Sequence, residues 1–327
     1  MPILRANIEI LKYSALHIGA FLVSFIGSAM VKITVNPEWS KKYDVEWNDS
    51  VGTLKSDISY GEREANKFDL YLPADNKKDN YGLVVYLHAG GFTSGDKTND
   101  KGTLAWLCSK GYVAAGINYT LRTDENNVSV LSQSEEIRSA IPKVVEAAEN
   151  AGYHIDKMTM AGGSAGHALA MIYTYRDGKE SPVSLVLTYG AVGPSSFYKE
   201  DWSIFGLDQD TDEALEAAAG LFGVMCGEKL TTEDMKNGSY LEKMKPIAAA
   251  EWVSSNPVPT VVAYGACDRV QAFPASRRLE KALKDNNVDY KYYVLEHSGH
   301  GLQNDSDISR QWMESVEEYL DKYMPVK

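Results

Sequence analysis

Short apolar runs recur along this chain, and between them apolar positions fall at helical spacing. Leu83 to Leu87 is an unbroken run of β-formers, the pattern of a strand buried on both faces of a parallel sheet. Similar runs predict strands at 56–59, 67–72, 83–88, 112–118, 157–161, 184–190, 259–264 and 290–295. Helices are predicted at about 99–110, 134–151, 165–177, 275–286 and 306–323. In the second of these, Ile137, Ile141, Val144, Val145 and Ala148 share one face. Such alternation predicts the α/β class, with a mostly parallel central sheet covered by helices on both faces. Residues 192–250 interrupt the rhythm and delay the next strand. They are rich in acids, aromatics and Met, including Phe197, Tyr198, Trp202, Phe205, Phe222 and Met225.

Two glycine-rich segments sit where chemistry is expected. Ala161-Gly162-Gly163-Ser164-Ala165-Gly166-His167 contains G-x-S-x-G between a predicted strand and a predicted helix, the context of a nucleophile elbow. A serine there is forced onto a tight turn, with its hydroxyl clear of the backbone. Small neighbours are needed because strand and helix nearly touch. Upstream, the strand at 83–88 runs into His88-Ala89-Gly90-Gly91. Acyl transfer needs backbone N–H groups aimed at the developing oxyanion, and glycines let a backbone approach a ligand. The amides of Gly90, Gly91 and Ala165 are the candidate oxyanion hole. Each motif alone is nonspecific; their order along the chain is what carries weight.

Together these segments resemble the α/β-hydrolases of the hormone-sensitive-lipase and small carboxylesterase group. His88-Ala89-Gly90-Gly91-Phe92 is similar to that group's H-G-G-G/A motif, with Ala89 in place of the first glycine. Gly162-Gly163-Ser164-Ala165-Gly166 is similar to its G-x-S-A-G, and 111–119 resembles the strand after the oxyanion loop. His167 stands where many members carry glycine. The resemblance covers roughly residues 50–325 and implies a triad in the order serine, acid, histidine. Asp268 is the candidate acid: it ends a late strand, and Gly265-Ala266-Cys267-Asp268-Arg269-Val270 matches the family's G-x-x-D-x-V. His297 and His300 compete for the base. Ser298-Gly299-His300-Gly301-Leu302 fits the family's G-x-G-H-G-F-like loop, which favours His300; His297 then reads as structural or substrate-facing. His17, His88, His154 and His167 have poorer claims; His88 reads as a brace for the oxyanion loop and His154 as a loop residue.

Length suits one large α/β domain: 327 residues, with 50–327 as the catalytic domain and about 192–250 as a cap insertion. Net charge is −12, so no basic footprint suggests nucleic acid. The acidity also disfavours highly anionic substrates, although a local pocket can override global charge. Cys108, Cys226 and Cys267 show neither a disulfide framework nor zinc spacing. Cys267 reads as a small buried residue rather than a nucleophile. No repeat, low-complexity tract or phosphate-binding glycine loop is visible, and no metal or organic cofactor is implied.

Residues 1–49 are expected to form an N-terminal helical segment. Within it, 15–31 is apolar and about the minimum length for a spanning helix. A signal peptide, a membrane anchor and a helix capping the active site all fit, so the location is cytoplasmic or membrane-associated through this helix. Oligomeric state is not legible. The function expected is a serine carboxylesterase acting on a small or medium ester. An acyltransferase using the same acyl-enzyme with an alcohol acceptor, and a non-catalytic binding protein on a hydrolase fold, remain as alternatives.

Overall fold

The computed structural model describes residues 37–326. Strands β1 (Gly52–Ser59), β2 (Lys67–Pro73), β3 (Tyr81–Leu87), β4 (Val113–Ile117), β5 (Ile155–Gly163), β6 (Ser184–Ala191), β7 (Thr260–Gly265) and β8 (Tyr290–Leu295) form one sheet. Its order is β1-β2-β4-β3-β5-β6-β7-β8. β2 runs antiparallel to both its neighbours, and every other pairing is parallel. β3 has β4 on one side and β5 on the other, so the chain reverses its direction of travel across the sheet there. A crevice opens beyond the carboxyl ends of strands at such a switch point.

Helices α1 (Lys101–Ser109), α2 (Val130–Asn150), α3 (Ala165–Ile172), α4 (Asp212–Cys226), α5 (Thr232–Asn237), α6 (Tyr240–Met244), α7 (Phe273–Asp285) and α8 (Ser306–Tyr323) complete the order. Two hydrophobic cores lie on opposite faces of the sheet. Leu83, Val85 and Leu87 of β3 join the larger, with Ile137, Ile141 and Val144 of α2 and Leu279 and Leu283 of α7. Val84 points to the smaller, with Leu104 and Trp106 of α1 and Val316 and Tyr319 of α8. Each apolar strand is thus buried on both sides, as its unbroken hydrophobic run requires.

Two elements begin well before the positions the periodicity gives them. β1 begins at Gly52, because its mostly exposed, polar sequence is held by antiparallel pairing with β2 rather than by an apolar face. α2 begins at Val130, because Ser129 and Ser132 form a reciprocal cap in which each side-chain oxygen accepts the other's backbone N–H. Residues 192–250 contain a turn of 3-10 helix (Lys199–Phe205) and α4 to α6. Trp202, fully buried, packs on Phe222 at 5.6 Å and Tyr240 at 5.3 Å between ring centres. The candidate membrane segment at 15–31, and His17 within it, lie outside the described residues. Among those described, no helix is long and apolar enough to cross a membrane.

α3 meets the sheet at very short range. A Cβ on Gly166 would lie 1.9 Å from the Leu87 carbonyl oxygen at the end of β3. His167, the next residue, is fully buried and accepts the Gly193 N–H on Nδ1 at 3.2 Å, which puts its proton on an Nε2 without a partner. Burial holds the ring neutral and pushes its pKa down to about 3.

Gly166→Ala should therefore destabilise the fold by about 3 kcal/mol or more, since backbone on both sides must move. Gly220→Ala, in α4 with nothing within 4 Å, should stabilise by up to about 1 kcal/mol; urea denaturation of both variants checks the contrast. His167 also makes stability depend on pH. The unfolded imidazole takes a proton near its ordinary value of 6.5 and the buried ring only near 3, so unfolding between these values takes up one proton. Stability should fall as pH drops through that window, with His167 contributing about 1.4 kcal/mol per pH unit. His167→Gln should show a slope shallower by that amount, and an unchanged slope would contradict a neutral His167.

Candidate active site

β5 carries Ala161-Gly162-Gly163 to the carboxyl end of the sheet and α3 starts at Ala165, so Ser164 must turn the chain alone. It does so at φ 52° and ψ −119°, a conformation that costs a non-glycine residue about 1–3 kcal/mol. The turn is held by the Ser164 N–H donating to the Ala191 carbonyl at 2.9 Å and by Ala168 N–H donating to Ser164 O at 3.0 Å. Gly162 and Gly166 make it sterically possible: a Cβ on Gly162 would lie 2.5 Å from the Gly166 carbonyl carbon. The hydroxyl is left projecting over the carboxyl ends of the strands.

Two loops from the far side of the sheet reach Ser164. The loop after β7 carries Asp268 and the loop after β8 carries His300. They are brought together where Cys267 N–H donates to Ser298 O at 3.0 Å and Ala266 N–H to Leu295 O at 3.0 Å. Gly265 lets them approach, since a Cβ there would lie 2.3 Å from Gly299 O. His300 Nε2 lies 2.8 Å from Ser164 Oγ, and its Nδ1 lies 2.7 Å from Asp268 Oδ2. The other Asp268 oxygen accepts the backbone N–H of Val270 at 2.8 Å and of Gln271 at 3.0 Å. Those two bonds fix the carboxylate plane and leave one oxygen for the imidazole. With Nδ1–H donated to Asp268, Nε2 is the basic nitrogen facing the hydroxyl. The structure thus brings Ser164, Asp268 and His300 into one chain of hydrogen bonds.

The loop after β3 is held by its carbonyls. Gly90 O accepts from Thr93 N–H, Ser94 N–H and the Ser94 hydroxyl, the last at 2.9 Å. Every described peptide is trans, so the N–H following a carbonyl points the opposite way. The Gly91 N–H is therefore turned away from the 93–94 turn, and Gly91 lines the cavity with Ala165. Gly90 is buried and does not line that cavity; its N–H is set by the Ala89 carbonyl, which accepts from His88 Nδ1 at 2.9 Å. His88 is itself stacked on Tyr119 with ring centres 4.3 Å apart, and Tyr119 donates to His88 O at 2.9 Å. Gln133, fully buried on α2, donates to Phe92 O at 2.8 Å and so ties the loop to the larger core. No local pattern marks Ser94 or Gln133 for this work in the sequence.

A cavity of about 1080 Å³ lies over Ser164. The side formed by the 192–250 segment is apolar, with Phe197, Ile204, Phe205, Leu221, Phe222 and Met225; Trp202, by contrast, only packs within that segment. Arg278 on α7 secures this layer through Asp201, Glu200 and Ser196. Burial pushes the Asp201 carboxyl upward, and Arg278 opposes that. The opposite wall is polar and includes Arg269, Gln271, His297, Gln303 and Asn304. His297 stays away from Ser164 and pairs with Asp305, while His154 is exposed beside Glu149. Cys267 corrects an expectation: it is exposed and lines the cavity, with its thiol donating to the Glu296 carbonyl at 3.4 Å in the loop after β8. Among the described residues no group of three or more His, Cys, Asp or Glu side chains is placed to hold a metal ion.

Known proteins with this framework are esterases and a related hydrolase. Esterase B of Lactobacillus rhamnosis superposes with a TM-score of 0.62 at 16% identity, covering 93% of this chain and 96% of that one. Butyrate-bound esterase Est2 of Thermogutta terrifontis gives 0.63 at 19%, covering 84% and 96%. Kynurenine formamidase of Danio rerio is 31% identical over 136 residues, which is 41% of this chain and 43% of that protein. The Salmo salar kynurenine formamidase is 32% identical over 117 residues, covering 35% and 37%. The chain thus spans less than half the length of these two relatives. The solved structures share the α/β-hydrolase fold, the architecture that the sequence motifs imply. The BD-FAE family model matches residues 68–283, a stretch that includes the oxyanion loop, Ser164 and Asp268, and the chain belongs to the BD-FAE family of α/β-hydrolase esterases.

Proposed function

We propose that this protein is a serine carboxylesterase with Ser164 as nucleophile, His300 as general base and acid, and Asp268 as the group that orients the imidazole. The observation that carries this reading is the pair of contacts, 2.8 Å and 2.7 Å, linking a serine on a strained turn to a histidine and a buried aspartate. Ser164 Oγ attacks the ester carbonyl while His300 Nε2 takes its proton. The tetrahedral oxyanion is met by the N–H groups of Gly91 and Ala165 at the cavity wall, with Gly90 behind them. Collapse breaks the C–O bond, and His300 returns the proton to the departing alcohol. Water, deprotonated by His300, then attacks the acyl-enzyme and releases the acid with Ser164 restored. The low dielectric of a half-buried imidazole between a carboxylate and a hydroxyl favours this proton shuttle.

A second reading comes from the kynurenine formamidase relatives. The same acyl-enzyme formed from a formamide would carry a formyl group and expel an amine, with the proton again supplied by His300. The acyl side would then need almost no room, and the cavity under the cap would hold the amine.

Ser164→Ala should lower kcat on an activated ester by about a thousandfold or more, and Asp268→Asn by a similar order, with the fold intact by circular dichroism. A fluorophosphonate should label the wild type at Ser164, located by peptide mass. Turnover by a folded Ser164→Ala protein close to that of the wild type would end the serine mechanism. Release of formate from an aryl formamide in preference to release of acid from a butyrate ester would favour the second reading.

A further inference from the structure

The net charge of this chain is −12, yet the polar wall of its cavity includes the cationic Arg269 and a histidine, His297. Arg269 follows Asp268 directly and lines the cavity. Among the described residues no carboxylate pairs with it. His297 lines the same wall from the loop that carries His300. Its place is built rather than incidental. Asp305 accepts His297 Nδ1 at 2.9 Å, His297 N–H at 3.0 Å and the Ser298 hydroxyl at 2.6 Å, and Asn304 Nδ2 donates to His297 O at 2.6 Å. With Nδ1 engaged by Asp305, the far side of the ring, Nε2, is the nitrogen left for a ligand. Arg269 is placed by equally rigid backbone, since the N–H groups of Val270 and Gln271 are both fixed on Asp268.

Two of the acidic groups nearby are already committed. Asp201, the carboxylate among the lining residues, is held by Arg278, and Asp268 is held by His300. Glu296 is the other acid next to His297. We infer that Arg269 and His297 form a carboxylate-binding subsite at the cavity mouth, and that the substrate is a carboxylic ester bearing a second, ionised carboxyl group. The inference rests on the esterase reading above. The apolar wall takes the hydrocarbon part of such a molecule, and the guanidinium and Nε2–H take its anionic end. The anion can sit on the acyl side, as in a half-ester of a dicarboxylic acid, or on the alcohol side, as in an ester of a hydroxy acid.

The hydrogen bond that His297 Nδ1–H donates to Asp305 raises the His297 pKa above its ordinary 6.5. The charge of the ring is present below the raised pKa and is lost as pH rises through it. Arg269 stays charged throughout.

The test compares kcat/KM for matched pairs: the 4-nitrophenyl half-ester of adipic acid against 4-nitrophenyl hexanoate for the acyl side, and 3-carboxy-4-nitrophenyl acetate against 4-nitrophenyl acetate for the alcohol side. The readout is the ratio of anionic to neutral ester, so a general change in rate cancels. In the wild type at low salt one pair should favour the anion by about three- to tenfold, and the preference should shrink in high salt. Arg269→Gln should bring the ratio to about one, and Arg269→Lys should restore part of it. His297→Gln should lower the ratio more at pH 6 than at pH 9. Ratios near one for both pairs in the wild type, or a preference that survives Arg269→Gln, overturn the inference. Absence of turnover with every ester, neutral and anionic alike, overturns the esterase reading instead. In that case calorimetry with monoethyl adipate on the Ser164→Ala protein decides the subsite alone: binding that Arg269→Gln weakens supports it, and no difference refutes it.

Discussion

The contact on which this molecule depends is the approach of α3 to the end of β3. The backbone at Gly166 lies so near the Leu87 carbonyl that no side chain fits between them. That approach leaves one residue, Ser164, to reverse the chain between β5 and α3. Its positive φ is the consequence, and the cost is borne by a turn locked on both sides, by Ala191 of β6 and by Ala168 of the helix. A hydroxyl on such a turn cannot fold back onto its own backbone. It stands over the switch point of the sheet, where the loops after β3, β7 and β8 converge.

Those loops are stiffened by backbone hydrogen bonds and by buried side chains. The loop after β3 is fixed through its carbonyl groups, by Ser94, Gln133 and His88. The loops after β7 and β8 are bonded to each other before either reaches Ser164. Preorganised donors and acceptors of this kind lose little free energy to reorganisation when charge develops. The same two loops that present Asp268 and His300 also present Arg269 and His297, so the polar wall of the cavity and its reactive centre share one scaffold. The 192–250 segment supplies the opposite, apolar wall and is tied to α7 by Arg278.

Much of this was legible in the order of residues. Fully buried parallel strands announce themselves as unbroken apolar runs, and all eight predicted strands lie in the sheet. The glycines around Ser164 and before Asp268 mark the close approaches, because only steric crowding demands them. Other features left no local trace. The exposed, polar β1 is held by its neighbour's backbone, and the start of α2 by two serines that cap it reciprocally. Cys267 was expected inside because free cysteine usually is, yet it is exposed at the cavity with its thiol on the Glu296 carbonyl of the neighbouring loop.

By itself, then, the sequence determined the fold class, the order of the elements and the types of residue at the site, since these follow from periodicity, steric need and chemistry along the chain. The tertiary structure alone decided how closely His300, the histidine its glycine-flanked loop favours, meets Ser164, which aromatics face the cavity, and where Arg269 stands in a net negative chain. Those are matters of direction and distance between segments more than a hundred residues apart, as between Ser164 and His300. No pattern within one segment encodes them, because the bonds that fix them are made only when the loops pack together.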